Sequence, residues 1–151
     1  MTTFGNNSNW VTMKYIGSVL DFTEERNKEI MKVFRDKLQE VKIIVKPNIF
    51  QMVADSQASR FWVSEKRAAI VVGAMENGKK LPKMRQNKRE MFEEIYRRFK
   101  ELKNKYPKKT IFELVTIIVY QPAPKFYLTP RTIEEFIYRI KKKNRQLKMK
   151  Q

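Results

Sequence analysis

Ala58-Ser-Arg-Phe-Trp-Val-Ser-Glu-Lys66 and Ala123-Pro-Lys-Phe-Tyr-Leu-Thr-Pro-Arg131 match in residue type at seven of nine positions and stand 65 residues apart. The same displacement carries Ala68, Val71, Val72 and Met75 onto Ile133, Phe136, Ile137 and Ile140, apolar positions with helical spacing. Upstream, Asn48-Ile-Phe-Gln51 matches Thr110-Ile-Phe-Glu113 at a displacement of 62, which implies three residues gained or lost between the blocks. Both tetrapeptides have the form of a capping box, in which the first side chain caps a helix and the fourth reaches back. Further upstream, Ile30, Phe34, Leu38 and Val41 share one helical face, as do Phe92, Ile95, Phe99 and Leu102. Asp21 with Glu24 and Asn87 with Glu90 supply start signals.

The pattern predicts an all-α chain of six helices, near 22–41, 48–56, 64–77, 87–104, 110–120 and 129–147. They group into two tandem, pseudo-duplicated three-helix units, 20–83 and 84–147, after a flexible extension over 1–19 and before a basic tail at 148–151. Two segments admit another reading. Ile117, Ile118 and Val119 are β-branched and suit a buried strand, although the preceding capping box favours helix. Lys42-Ile-Ile-Val-Lys46 reads as a short strand or an apolar linker.

Composition narrows the chemistry. Lys and Arg number 33 against 16 Asp and Glu, a formal charge of +17 in 151 residues. With no histidine that charge barely moves between pH 5 and 8. A polyanion is the expected partner, and 42% hydrophobic residues are enough to build a core rather than a disordered basic tail. The absence of Cys and His removes thiol nucleophiles, imidazole bases and the usual zinc constellations. No apolar stretch approaches a membrane span, the N-terminal residues do not read as a secretory signal, and a cytoplasmic setting is the default. No cofactor, no metal and no enzymatic activity are expected. Glu93 and Glu94 precede Arg97 and Arg98 by four residues and read as surface ion pairs rather than a catalytic carboxylate pair.

The second and third helices of each half resemble a helix-turn-helix, the third being the reading helix. Ser64 and Thr129 are its cap candidates, with Pro130 at the first helical position. The connection Gln121 to Leu128, with Pro122 and Pro124, is longer than the three or four residues of a tight motif. Base-reading candidates are Lys66 and Arg67 in the first half and Arg131, Thr132, Glu135 and Arg139 in the second, since Arg can bond two guanine acceptors at once. Phe61, Trp62, Phe126 and Tyr127 read as core beneath a loop in preference to base-stacking groups.

Charge is uneven, at net +5 over residues 1–83 and +12 over 84–151. Phosphate-contact candidates are Arg60, Lys79, Lys80, Lys83, Arg85, Lys88 and Arg89 around the junction, Lys125 in the loop, and Lys141, Lys142, Lys143 and Arg145 near the end.

Through Leu20-Asp-Phe-Thr-Glu-Glu-Arg26, Arg60-Phe-Trp-Val-Ser-Glu-Lys-Arg-Ala-Ala69, Lys88-Arg-Glu-Met-Phe-Glu-Glu-Ile-Tyr-Arg97 and Pro122-Ala-Pro-Lys-Phe-Tyr-Leu-Thr-Pro130, the chain resembles small basic proteins of uncharacterised activity from gut bacteria and their phages or mobile elements. The resemblance implies a prokaryotic or viral setting and supplies no catalytic residue. The expected function is binding of double-stranded DNA, as a transcriptional regulator or mobile-element accessory factor. A structural or assembly role, such as a virion component whose basic face meets the genome or a protein partner, is the alternative, with RNA binding third.

Overall fold

A computed structural model describes the backbone of residues 8–41 and 46–150 and the side chains of residues 22–41 and 48–150. Among these residues the protein is built from six helices: α1 Ser8–Glu40, α2 Lys46–Ala54, α3 Glu65–Glu76, α4 Gln86–Lys105, α5 Ile111–Val119 and α6 Pro130–Met149. No helix among the described residues is long and apolar enough to cross a membrane.

Each boundary has a local cause. Ser64 and Thr129 both sit in extended conformation, and their hydroxyls accept hydrogen bonds from the backbone N–H of Arg67 and Thr132, so α3 and α6 start at equivalent points. Asn77 and Gly78 end α3: Gly78 takes φ +67°, its N–H bonds the Met75 carbonyl, and the Lys79 N–H bonds the Ala74 carbonyl. Position 143, the counterpart of Gly78, is lysine, and α6 runs on to Met149. Thr110 and Glu113 form the expected capping box, which settles residues 111–119 as helix. Hydrogen bonds from the Thr110 backbone and side chain hold the Glu113 carboxyl below its ordinary range. A depressed carboxylate stabilises the fold above its unfolded value, so this cap is expected to be lost as pH falls through the acid range, measurable as helix loss by circular dichroism.

Four expectations change. The segment 8–19, expected as part of a flexible extension over 1–19, is helical; residues 1–7 lie outside the described residues. Asp21 is thus interior to α1 rather than its cap, because nothing between Ser8 and Asp21 breaks the helix strongly enough to delay it. Asn48 is likewise interior to α2, so Asn48–Gln51 is not a capping box. Asn87 is not the cap of α4 either: Arg85 holds that position and makes no side-chain cap bond. The alternatives for residues 42–45 lie outside the described residues.

With α2 starting at Lys46, the displacement of 65 holds through the whole repeat. Ile30 and Ile95, Phe34 and Phe99, Ile49 and Leu114, Phe50 and Val115, Val53 and Ile118, Ala54 and Val119, Phe61 and Phe126, Ala68 and Ile133, and Val72 and Ile137 are all buried pairs at that spacing. No residues were gained or lost between the blocks.

The halves are not laid out as two tandem units. α1 packs on α2 and α4 on α5, but α3 packs on α4 and α5 while α6 packs on α1 and α2. Each half therefore hands its third helix to the other. Ala58 and Ala123 form an antiparallel bridge, with N–H to O distances of 3.0 and 2.9 Å in the two directions. The flanking bonds match: Phe61 N–H to the Val119 carbonyl at 2.9 Å, and Phe126 N–H to the Ala54 carbonyl at 3.2 Å. Residues that bond reciprocally to their own counterparts in antiparallel sense straddle a local two-fold axis. One continuous core results, with Phe61, Phe92, Phe99, Ile133 and Ile137 among its largest fully buried side chains.

The hydroxyl of Thr116, buried in α5, has no hydrogen-bond partner among the described residues. Because an unsatisfied buried hydroxyl costs about 1–3 kcal/mol, the near-isosteric Thr116→Val is expected to stabilise the protein by about 1 kcal/mol in urea denaturation.

Candidate nucleic-acid interface

The starts of α3 and α6 border a cleft made of two adjoining concavities. One part, of about 640 Å³, is lined by Arg67, the linker Pro82–Arg85, the first turn of α4 from Gln86 to Lys88, and Tyr127, Leu128, Thr129 and Thr132. A second part, of about 400 Å³, shares Arg67, Lys88, Tyr127 and Leu128 with the first and adds Phe22, Arg26, Trp62 and Ser64 among its walls. Trp62 and Tyr127, Val63 and Leu128, Ser64 and Thr129, and Arg67 and Thr132 are counterparts at the 65-residue spacing, so the cleft lies across the local two-fold axis.

Its charge is one-sided. Arg67, Lys83, Arg85 and Lys88 face the cleft, and none forms an ion pair among the described residues. Among the described residues no carboxylate lines either part. Arg26 adds a half-buried guanidinium 4.5 Å from the centre of the Phe136 ring; burial lowers its pKa, the mark of a cation short of solvent. The first N–H groups of α4 receive no side-chain cap from Arg85, and a helix start carries partial positive charge. The concavity is therefore suited to an anion.

The aromatic wall is held rigidly. Trp62 stacks on Phe22 with centroids 5.5 Å apart, and its ring N–H donates to Glu29 at 2.8 Å. Tyr127 stacks on Phe61 at 6.1 Å. Its backbone takes φ +58°, a left-handed conformation that costs a non-glycine residue about 1–3 kcal/mol and that surrounding packing must enforce. Burial, with Glu94 as the next cause, pushes the Tyr127 hydroxyl up to about 12, so it remains a neutral donor across the physiological range.

Comparison with protein families, curated proteins and solved structures finds no match for this chain.

The cleft gathers some of the sequence-derived candidates and leaves others apart. Arg67 and Thr132 enter it with Lys83, Arg85 and Lys88. Arg131, Glu135 and Arg139 lie instead on the exposed side of α6, where Glu135 sits 3.5 Å from Arg131 and 4.0 Å from Arg139. Lys66, Lys79, Lys80 and Arg89 do not line the cleft. Lys141 and Arg145 line a separate groove of about 560 Å³ against α1, with Arg35 and Lys148, while Lys142 and Lys143 are exposed on α6.

Two phosphate-contact candidates are corrected. Arg60 is 8% exposed; its guanidinium donates to the carbonyls of Phe61 at 3.0 Å and Val63 at 2.8 Å and lies 4.3 Å from the Tyr120 ring centre. It satisfies loop backbone rather than meeting a ligand. Arg60→Ala is expected to destabilise the fold by about 1–3 kcal/mol in urea denaturation, because the Val63 carbonyl loses the Arg60 donor and the Phe61 carbonyl keeps only the Val63 N–H. Lys125, its counterpart, is paired with Glu90 at 3.0 Å and lies 5.4 Å from the Tyr127 ring centre, so its charge is already engaged.

The helix-turn-helix expectation is also corrected, since α2 does not pack on α3, nor α5 on α6. The long connections carry each third helix across the axis instead. Phe61 and Phe126 are core as expected, whereas Trp62 and Tyr127 also wall the cleft. Arg26 and Phe22 join the site without any motif to mark them, because they sit within a helix whose pattern is purely structural. Their one signal is that Arg26 occupies a position whose counterpart, Met91, is an ordinary core residue.

Proposed function

We propose that this protein binds DNA, holding backbone phosphates on the cations of the two-fold cleft and on the basic arm of α6. The observation that carries the reading is the set Arg67, Lys83, Arg85 and Lys88 in one concavity with no carboxylate among its described lining residues. Four unpaired cations converging in one place repel each other, a cost that a bound polyanion removes. Lys141, Lys142, Lys143 and Arg145 extend the positive field along α6. Arg131 and Arg139, bracketing Glu135 on the outer side of the same helix, are the base-reading candidates. On this reading the matched halves descend from a duplication, and the protein serves as a transcriptional regulator or a mobile-element accessory factor in a bacterial or phage-infected cell.

An assembly role, as in a virion, draws support from exposed apolar side chains on α3 and α5, namely Ile70, Phe112 and Ile117. Selection from a randomised DNA pool at two salt concentrations, with excess competitor polyanion, separates the two readings. Enriched sequences that survive the higher salt support a regulator. Retention of every sequence alike, lost as salt rises, favours assembly.

A further inference from the structure

Resting on the DNA-binding reading, we infer that the two-fold cleft takes an unpaired nucleotide of the bound DNA, its phosphate on the cations and its base against the aromatic wall. Shape limits what can enter. Duplex DNA is read by elements that project: a helix about 10–12 Å across enters a major groove about 12 Å wide. Here the starts of α3 and α6 do not project side by side; Arg67, Thr129 and Thr132 line one concavity, and Ser64 and Arg67 line the one beside it. A duplex is too wide to seat within adjoining concavities of about 640 and 400 Å³. Those volumes instead fall within the range of about 300–1,000 Å³ typical of small-ligand clefts.

The chemistry divides in the way a nucleotide does. Lys83, Arg85 and the uncapped start of α4 lie in the larger part, where they offer donors and positive charge to a phosphate. Phe22 and Trp62 lie in the smaller part, where they add aromatic surface beside the Arg26 guanidinium. Arg67, Lys88 and Tyr127 belong to both and mark where sugar would join phosphate. Binders of single strands combine these two features, a cationic track and aromatic side chains against the bases. A simple phosphate site would need only the first. The hydroxyls of Thr129 and Thr132 bond each other at 2.9 Å, leaving capacity at the rim for a sugar or base edge.

The test uses the full chain carrying Trp10→Phe, which leaves Trp62 as its one tryptophan. Three probes are titrated: a blunt duplex of about twenty base pairs, the same duplex with a short single-stranded thymidine overhang, and a thymidine oligonucleotide alone, each longer than the roughly 4–16 nucleotides that a single-strand site covers or matched to it. The overhang duplex is expected to bind at least about tenfold more tightly than the blunt one and to quench Trp62, as is the single strand. In Arg67→Ala/Lys88→Ala, which alters two exposed side chains with no ion-pair partner among the described residues, that preference is expected to disappear while affinity for blunt duplex falls less. Equal binding of blunt and overhang duplexes, with Trp62 emission unchanged, would overturn the inference and leave DNA binding standing. Failure of all three probes to bind would overturn both.

Discussion

Residues 1–83 and residues 84–151, produced as separate chains, are each expected to lack a cooperative unfolding transition, and mixing them in equal amounts is expected to restore one. The reason lies in the exchange of third helices. Separated from the second half, α3 loses α4 and α5, and its buried Ala68, Val71 and Val72 are left against water. Separated from the first half, α6 loses α1 and α2, exposing Ile133 and Ile137. Full exposure of a Val or Ile side chain costs about 1.5–3 kcal/mol, and each fragment loses several such burials from a stability of about 5–15 kcal/mol for the whole. The bridge between Ala58 and Ala123 and its two flanking bonds are lost as well. Circular dichroism during thermal unfolding provides the measurement. Two tandem, self-contained units would instead give two fragments that each melt cooperatively.

Reversing charge in the cleft is expected to have the largest effect on function. In Arg67→Glu/Lys88→Glu, the cleft passes from two positive charges at these positions to two negative ones. DNA affinity at low salt is expected to fall at least about a hundredfold, and the slope of log K against log salt to flatten by about 0.9 for every phosphate no longer neutralised. Stability is expected to change little, because both side chains are exposed and neither has an ion-pair partner among the described residues. Fluorescence anisotropy with a labelled duplex that carries a short single-stranded overhang, over a salt series, tests this directly. An unchanged slope would place the phosphate-binding groups on the α6 arm, at Lys141 to Arg145, and remove the cleft from the interface.

Helix content is legible from local signals because each of those signals acts within a few residues. The caps at Ser64, Thr110 and Thr129, the spacing of Phe92, Ile95 and Phe99, and the stop at Gly78 depend only on neighbouring backbone and side chains. The start of α1 lies more than a dozen residues ahead of its apparent signal, since Asp21 and Glu24 imitate a cap within a helix that already runs from Ser8. The candidate site is half legible. Arg67, Lys83, Arg85, Lys88 and Thr132 stand out in the sequence as basic or reading residues and do converge, yet Arg60 meets the same criterion and is buried. Charge type reports what a side chain is able to bind. It does not report whether a loop carbonyl has already engaged it, as those of Phe61 and Val63 engage Arg60.

The repeat at a spacing of 65 residues, the six helices and the strong positive charge belong to the sequence alone, for they follow from residue identity and near-neighbour geometry. Which helix packs on which was decided only in three dimensions. Two halves with matching apolar faces satisfy one another as well in exchange as in isolation, so periodicity is silent on the choice. The long connections through Ala58 and Ala123 resolve it, because their backbone groups pair reciprocally across the axis and carry α3 and α6 to opposite halves. That crossing brings Arg67 and Thr132, 65 residues apart in the chain, into one cleft.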